Sequence, residues 1–340
     1  MSHNNPRKKK AKKRPAPLIP PPHASLMKSR KRARQVTTLF HKLTREKDLA
    51  LRQDGSKANK IVQELDEKIK AIGGREAYQQ ASQLSTSFHS TSKWVLGYLQ
   101  RNGWLYGVPQ ALQATDSTAD KTIKSKRKQE RRETKLLEVG AINTELLDAA
   151  DRTVDANNND SNEKAELKKK YRLDVRAIDL HSMHPGRIEE TDFLKLSVDE
   201  EEARYDVIVN SMVLNCVTTP EDRGEMLVRL FQFLRPGGIL FLTIPRLCLN
   251  QSPFIDRDQF LKMLGGSGVG FEMVETRESP KVAFFVCRRP MPVKVDLSTI
   301  QIDTRWTLVK RLRREKKYRN QFTVVLKKER CIQARRNLKK

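Results

Sequence analysis

Six short apolar runs rich in β-branched residues follow one another between residues 136 and 288, and helical patterns fall between several of them. The runs are LLEV (136–139), LDVRAIDL (173–180), YDVIVNSMVL (205–214), GGILFLTI (237–244), FEMVET (271–276) and KVAFFVCR (281–288). Each is bounded by Gly, Pro or Asp, as strands are. The helical patterns cover 144–150, 220–234, which RPGG stops, and 256–264, which Gly265-Gly266 stops. Strands alternating with helices predict an α/β fold with a Rossmann-like, doubly wound, mostly parallel sheet. Only about four residues part the last two runs, a hairpin spacing, so the final strand is expected to enter antiparallel.

The chain ahead of this alternation has a helical period. Val36, Leu39, Phe40, Leu43, Leu49 and Leu51, then Ile61, Val62, Leu65, Ile69 and Ile72, place apolar groups on one face of two helices broken near Asp54 and Gly55. Gly73-Gly74 is expected to end the second helix. A third stretch, SKWVLGYLQRNGW (92–104), puts Trp94, Val95, Tyr98 and Leu99 on one side, as a core-facing helix would. KTIKSKRKQERRETK (121–135) reads as a charged helix or linker, and the polar residues 151–170 as a partly disordered surface insertion. The expected layout is a disordered basic tail over 1–35, a helical region over 36–120, an α/β ligand-binding domain over 121–290 and a basic extension over 291–340.

Charge separates these parts. The whole chain of 340 residues carries a net +26, but residues 1–47 contribute +14 and residues 305–340 contribute +13, leaving a body near neutrality. The run RKKKAKKRPAPLIPPP favours extended polyproline geometry over folding. Such an arm collects phosphates by releasing counterions without reading sequence, and it matches the pattern of a nuclear import signal. In the C-terminal end, Trp306, Leu308, Leu312, Tyr318 and Phe322 interleave with Arg and Lys, which suits either base stacking or packing on the body. No apolar run approaches the roughly 18 to 20 residues of a membrane span. Cys216, Cys248, Cys287 and Cys331 stand singly, so neither a disulfide framework nor a zinc module is indicated.

In an open α/β sheet the ligand crevice lies beyond the carboxyl ends of the strands. After the first strand come Glu138, Gly140, Ala141 and Asn143; a glycine there lets the backbone approach a ligand closely. Ile142 stands where a dinucleotide fingerprint needs its second glycine, so a nicotinamide dehydrogenase loses its main support. After the second strand, Asp179 can accept from paired ribose hydroxyls. A weakly marked third strand leads to Asp192 and Phe193, suited to an adenine amine and ring face. Asn210 and Ser211 tip the fourth strand, and LRPGG forms a turn before the fifth. His181 and His184 lack a third ligand and read as turn residues, so no metal is expected.

Glycine, ribose acid, Asp-Phe, polar strand tip and R-P-G-G in this order resemble the class I S-adenosylmethionine-dependent methyltransferases. SKWVLGYL, VGAINTELLDAADRT, RAIDLHSMHPGRIEETDFL, YDVIVNSMVLNCVTTPEDRGEML and LRPGGILFLTIPRLCLNQSPF are similar to the fungal family that methylates N(1) of an adenine in 25S ribosomal RNA. The likeness covers roughly residues 36–290 and is most specific over 205–254; the insertion stretches the Gly140 to Asp179 spacing to about twice the usual. It implies S-adenosyl-L-methionine as cofactor, held by Gly140 and Asp179 with Asp192 and Phe193, and large-subunit ribosomal RNA or a pre-ribosome as partner. A monomer in the nucleus, concentrated in the nucleolus, is expected.

The adenine ring nitrogen N(1) is neutral and carries an in-plane lone pair, so the reaction needs alignment more than a strong base. It lies on the pairing edge, so the target must be unpaired or extruded. Asn210 is the candidate to accept from the exocyclic amine, and Phe254, beyond the fifth strand, the candidate clamp. Animal relatives of this family resemble non-catalytic S-adenosylmethionine sensors acting through a protein partner; the two basic ends distinguish an RNA enzyme from such a sensor.

Overall fold

The structure is a computed structural model that describes residues 29–51, 56–86, 91–109, 131–155, 167–197, 204–291, 301–309 and 320–336. The arm over 1–28 and most of the linker and insertion lie outside these residues. Four helices lead: α1 (Arg30–Leu51), α2 (Ser56–Ala71), α3 (Gly74–Thr86) and α4 (Thr91–Arg101). The first helix begins at Arg30, inside the stretch read as tail. Gly73 and Gly74 both have positive φ and make a tight turn into α3, a helix the sequence reading left out. Strand β1 (Val108–Pro109) pairs antiparallel with β2 (Arg131–Arg132), so the end of the presumed linker is already sheet.

Strand β3 (Thr134–Val139) then opens the alternation with α5 (Glu145–Asp151). At the edges of the expected insertion, β4 (Thr153–Asp155) and β5 (Leu167–Lys169) pair as an antiparallel ribbon. There follow β6 (Leu173–Asp179), β7 (Glu189–Glu190), β8 (Tyr205–Ser211), α6 (Pro220–Phe233), β9 (Leu234–Pro245), α7 (Leu247–Asn250), α8 (Arg257–Leu264), β10 (Glu272–Glu278), β11 (Val282–Arg288) and α9 (Lys328–Arg336). The central sheet has seven strands in the order β10-β11-β9-β8-β3-β6-β7. Strands β7, β6, β3, β8 and β9 run parallel, and β11 enters antiparallel between β9 and β10, as the hairpin spacing predicted.

Each face of the sheet buries its own layer. Val95, Leu99, Leu136, Leu146, Val207 and Val209 pack together on the side of α4 and α5. Trp94 lies edge-on to Phe241 and Phe284, each ring 5.1 Å away, so it is core. The opposite layer joins Leu137, Ile208, Leu227, Phe231 and Phe260 to Trp306, Phe322, Val324, Leu326 and Cys331 of the C-terminal segment. That segment therefore packs on the body. Gly224 makes room for it: a Cβ there would stand 1.8 Å from the carbonyl oxygen of Val325. Arg223 donates to the Thr323 carbonyl (2.8 Å), and Arg335 donates to the carbonyls of Gly266 (2.8 Å) and Val269 (3.1 Å).

Two buried charges fix the frame. Asp206, 3 % exposed at the start of β8, accepts from both terminal nitrogens of Arg132 and from the Lys135 amide (2.9 Å), tying β8 to the entry of β3. Arg289 donates to the carbonyls of Phe231 (3.2 Å), Gln232 (3.0 Å) and Leu234 at the end of α6, where a helix presents unpaired acceptors. The R-P-G-G stretch is not a turn ahead of the fifth strand. Helix α6 runs straight into β9 at Leu234, and the two glycines form a bulge pinned by Gly237 N to Arg289 O and Arg289 N to Gly238 O, both 2.9 Å.

Candidate functional site

The carboxyl ends of β3, β6 and β8 converge beneath α3. Past β3 the chain turns at Gly140, with φ of 75°, and the amides of Gly140 and Ala141 both donate to the Ile178 carbonyl, at 2.8 and 3.0 Å. A Cβ on Gly140 would lie 2.3 Å from Val213 Cγ2. Positive φ and this contact together disfavour any larger residue, so the close approach of the turn to the loop after β8 suits glycine. Two residues earlier, Glu138 Oε2 is buried without a hydrogen-bond partner. Burial, with a smaller push from Glu145, raises its carboxyl to about 8, so it is largely protonated at neutral pH.

Asp179 ends β6. Its Oδ1 accepts from the His181 amide (2.9 Å) and lies 3.5 Å from Arg75 Nη2, while its carbonyl accepts from Thr191 N (2.8 Å). Burial raises the carboxyl, opposed by the His181 amide and Arg75. Arg75 belongs to α3, and so does Gln79, whose Nε2 donates to the His181 carbonyl at 2.5 Å. Between helix and loop lies an open hollow of about 360 Å³ lined by Arg75, Glu76, Gln79, His181, Ser182 and Met183. Helix α3 thus forms a roof over the tips of the sheet.

The tip of β8 forms the other wall. Ser211 Oγ bonds Thr91 Oγ1 (2.8 Å) and Thr243 Oγ1 (3.0 Å). Met212 follows with φ of 62°, the one non-glycine in that region among the described residues, its amide donating to Thr243 O at 2.9 Å. Strain of this kind persists only where the surroundings over-determine it, commonly beside functional sites. The Cys216 thiol donates to Met212 O (3.1 Å); Asn215 Nδ2 (3.3 Å), His41 Nε2 (3.7 Å) and Tyr78 Oη (3.9 Å) surround its sulfur. Burial, aided by Arg45 and Arg75, lowers His41 to about 4, and burial raises Tyr78 and takes Cys216 to about 11. All three are neutral at pH 7.

Of the expected residues, Gly140 and Asp179 meet at the crevice. Asp192 instead caps the short turn Phe193–Lys195, accepting from Leu194 N at 2.9 Å, with Lys195 Nζ 3.8 Å away. Phe193 is corrected: it is 3 % exposed, its ring lies 5.3 Å from that of Phe233, and the Arg229 guanidinium is 6.0 Å away, so it packs in the core and offers no ring face. Asn210 is corrected as well. It is fully buried between β8 and α6, with Nδ2 on Met226 Sδ (3.6 Å). Phe254 is half-buried in the loop after β9, its amide held by Ser252 Oγ at 3.1 Å. His181 and His184 shape a turn, the His184 amide resting on Ser182 Oγ at 2.9 Å. The sequence reading missed Arg75, Tyr78, Gln79 and Asn215; α3 carries the first three and has too few large apolar residues to show a period.

An acid at Glu138 with one buried oxygen unpaired, a second acid at Asp179 and a glycine turn between them are groups that suit a cationic nucleoside such as S-adenosylmethionine. The seven-stranded order, with the reversed strand next to one edge, is the class I methyltransferase fold. The chain belongs to the family described as 25S rRNA (adenine(2142)-N(1))-methyltransferase, Bmt2, whose profile matches residues 63–324. The Saccharomyces cerevisiae protein named 25S rRNA (adenine(2142)-N(1))-methyltransferase is 33 % identical over 111 residues, 32 % of each chain, so the match spans about a third of the length of that curated relative. Among solved structures, a putative sarcosine dimethylglycine methyltransferase from Galdieria sulphuraria overlaps 59 % of this chain and 84 % of its own at 12 % identity and TM-score 0.34. The N-methyltransferase NodS from Bradyrhizobium japonicum, solved with S-adenosyl-l-homocysteine, overlaps 47 % and 80 % at 15 % identity and TM-score 0.30.

Proposed function

We propose that this protein transfers a methyl group from S-adenosyl-L-methionine to N(1) of an adenine in large-subunit ribosomal RNA. The observation that carries the reading is the placement of Glu138 near the end of β3 and Asp179 at the end of the neighbouring β6, on either side of the Gly140 turn, in a chain of this family. The cofactor supplies an electrophilic methyl group on a sulfonium. Asp179 would accept from the ribose hydroxyls, where Arg75 Nη2 now lies 3.5 Å from its Oδ1 as the donor, and Glu138 would balance the ligand's positive charge once it ionises. At the tip of β8 the chain presents His41, Tyr78 and Cys216, all neutral. A neutral ring nitrogen needs no base, so a wall of uncharged groups that excludes water and orients the ring is what the chemistry asks for.

The two cationic ends are proposed to hold phosphates around the target, and the N-terminal one to direct the chain to the nucleus and nucleolus. The described residues contain no helix long and apolar enough to cross a membrane. The test is nucleoside mass spectrometry of large-subunit RNA from cells lacking the protein, before and after the RNA is treated with purified protein and S-adenosylmethionine. One missing N(1)-methyladenosine, restored by the treatment, is expected; an unchanged nucleoside profile would refute the assignment.

A further inference from the structure

We propose that Asn215 reads the target adenine, its Oδ1 accepting a hydrogen bond from the exocyclic amine so that N(1) is held in line with the transferable methyl. The inference rests on the methylation reading and names the residue that selects the base.

Asn215 Oδ1 is buried and has no hydrogen-bond partner. An unmade bond at a buried acceptor is costly, and native proteins keep few of them. The rest of the side chain is fixed. Nδ2 lies 3.3 Å from Cys216 Sγ, and that thiol spends its proton on Met212 O at 3.1 Å. The sulfur is therefore the acceptor, which assigns Nδ2 to it and turns Oδ1 elsewhere. The amide is oriented with one acceptor left over.

Its place in the fold is between the two halves of the crevice. The amides of Cys216 and Val217 return to the Val213 carbonyl (2.8 and 3.3 Å), forming a turn directly beyond the strained Met212. Val213 is the residue that a side chain at position 140 would strike, and Cys216 touches His41 of α1 and Tyr78 of α3. Asn215 thus stands where the cofactor turn, the tip of β8 and the roof come together. Asn210, the asparagine that the strand pattern suggests, is shut beneath α6 five residues earlier.

The chemistry selects the base. Adenine carries a donor amine beside N(1); guanine carries a carbonyl oxygen there and a proton on N(1). A lone amide oxygen attracts the first arrangement and repels the second. His41, Tyr78 and Cys216 beside it are neutral.

The test uses the full-length protein and two large-subunit RNA fragments, with adenosine or purine riboside, which lacks the exocyclic amine, at the target position. The wild-type protein is expected to lose roughly tenfold to a hundredfold in kcat/KM on purine riboside. Asn215→Ala should lose a similar factor on adenosine and almost nothing more on purine riboside, while Asn215→Asp, which keeps the acceptor, should retain the preference for adenosine. S-adenosylmethionine affinity should match wild type in both variants. An Asn215→Ala variant that still discriminates the two substrates as wild type does would overturn the assignment. So would equal loss of cofactor affinity in both variants, the mark of a structural role. Absence of methylated product from the wild-type protein would remove this inference together with the reading beneath it; product formation without an Asn215 effect would remove this inference alone.

Discussion

With Glu138 facing the ligand as proposed, cofactor binding is expected to be coupled to loss of a proton. Its carboxyl sits at about 8 because burial penalises the charge, and Glu145 adds to the effect. The ammonium and sulfonium of S-adenosylmethionine favour the ionised form, so the bound protein should hold a carboxylate where the free protein holds an acid. Binding below pH 8 then releases a proton. For a free-state value near 8 and a bound-state value near the ordinary carboxylate range, affinity should rise about tenfold between pH 6 and pH 7, and about one proton should leave per ligand bound at pH 6.5. The same shift has the opposite sign for the unliganded fold. The folded state keeps a proton that the unfolded chain has lost, so stability falls by about 1.4 kcal/mol per pH unit between roughly pH 5 and pH 8. Calorimetric titration in two buffers of different ionisation enthalpy reads the proton count directly. Asn or Gln at this position cannot ionise, so Glu138→Gln should bind with no proton release and a flat pH profile. Proton release that persists in Glu138→Gln, or none in the wild-type protein, would refute the reasoning.

Asp179→Ala should weaken S-adenosylmethionine binding by about 1–3 kcal/mol, the cost of unpaired ribose hydroxyls, as measured by calorimetry. Gly224→Ala drives a methyl group into the Val325 carbonyl and should cost about 1–3 kcal/mol, lowering the thermal midpoint and exposing residues 320–336 to limited proteolysis. Deleting residues 1–28 removes a block of Lys and Arg and should reduce both RNA affinity and the slope of log K against log salt, while leaving cofactor affinity untouched.

The sheet was legible because its strands are nearly continuous Val, Ile, Leu and Phe runs buried on both faces, and the short link between β10 and β11 announced the reversed strand. Helix α3 was not legible. It packs through Ala81 and Gln79, small and polar residues that give no apolar period, although the roof depends on it. Arg-Pro-Gly-Gly carries a strong turn signature, yet here the glycines let a strand bulge, which only the partner strand at Arg289 reveals. Gly140 and Asp179 could be placed at the tips of the sheet from sequence because each directly follows or ends an apolar strand run. Phe193 and Asn210 were misplaced for a shared reason: residues at a strand's end face either crevice or core, and parity alone does not say which until the covering helix is known.

The closing segment has a consequence for how the protein comes into being. Phe322, Val324, Leu326 and Cys331 complete an apolar layer whose other members lie up to two hundred residues earlier. While the chain is being synthesised, that layer stays open to water until residue 336 has cleared the exit tunnel. The sheet must wait, partly uncovered, for its last piece. A newly made chain is therefore expected to be most prone to aggregation in the interval before residues 328–336 dock.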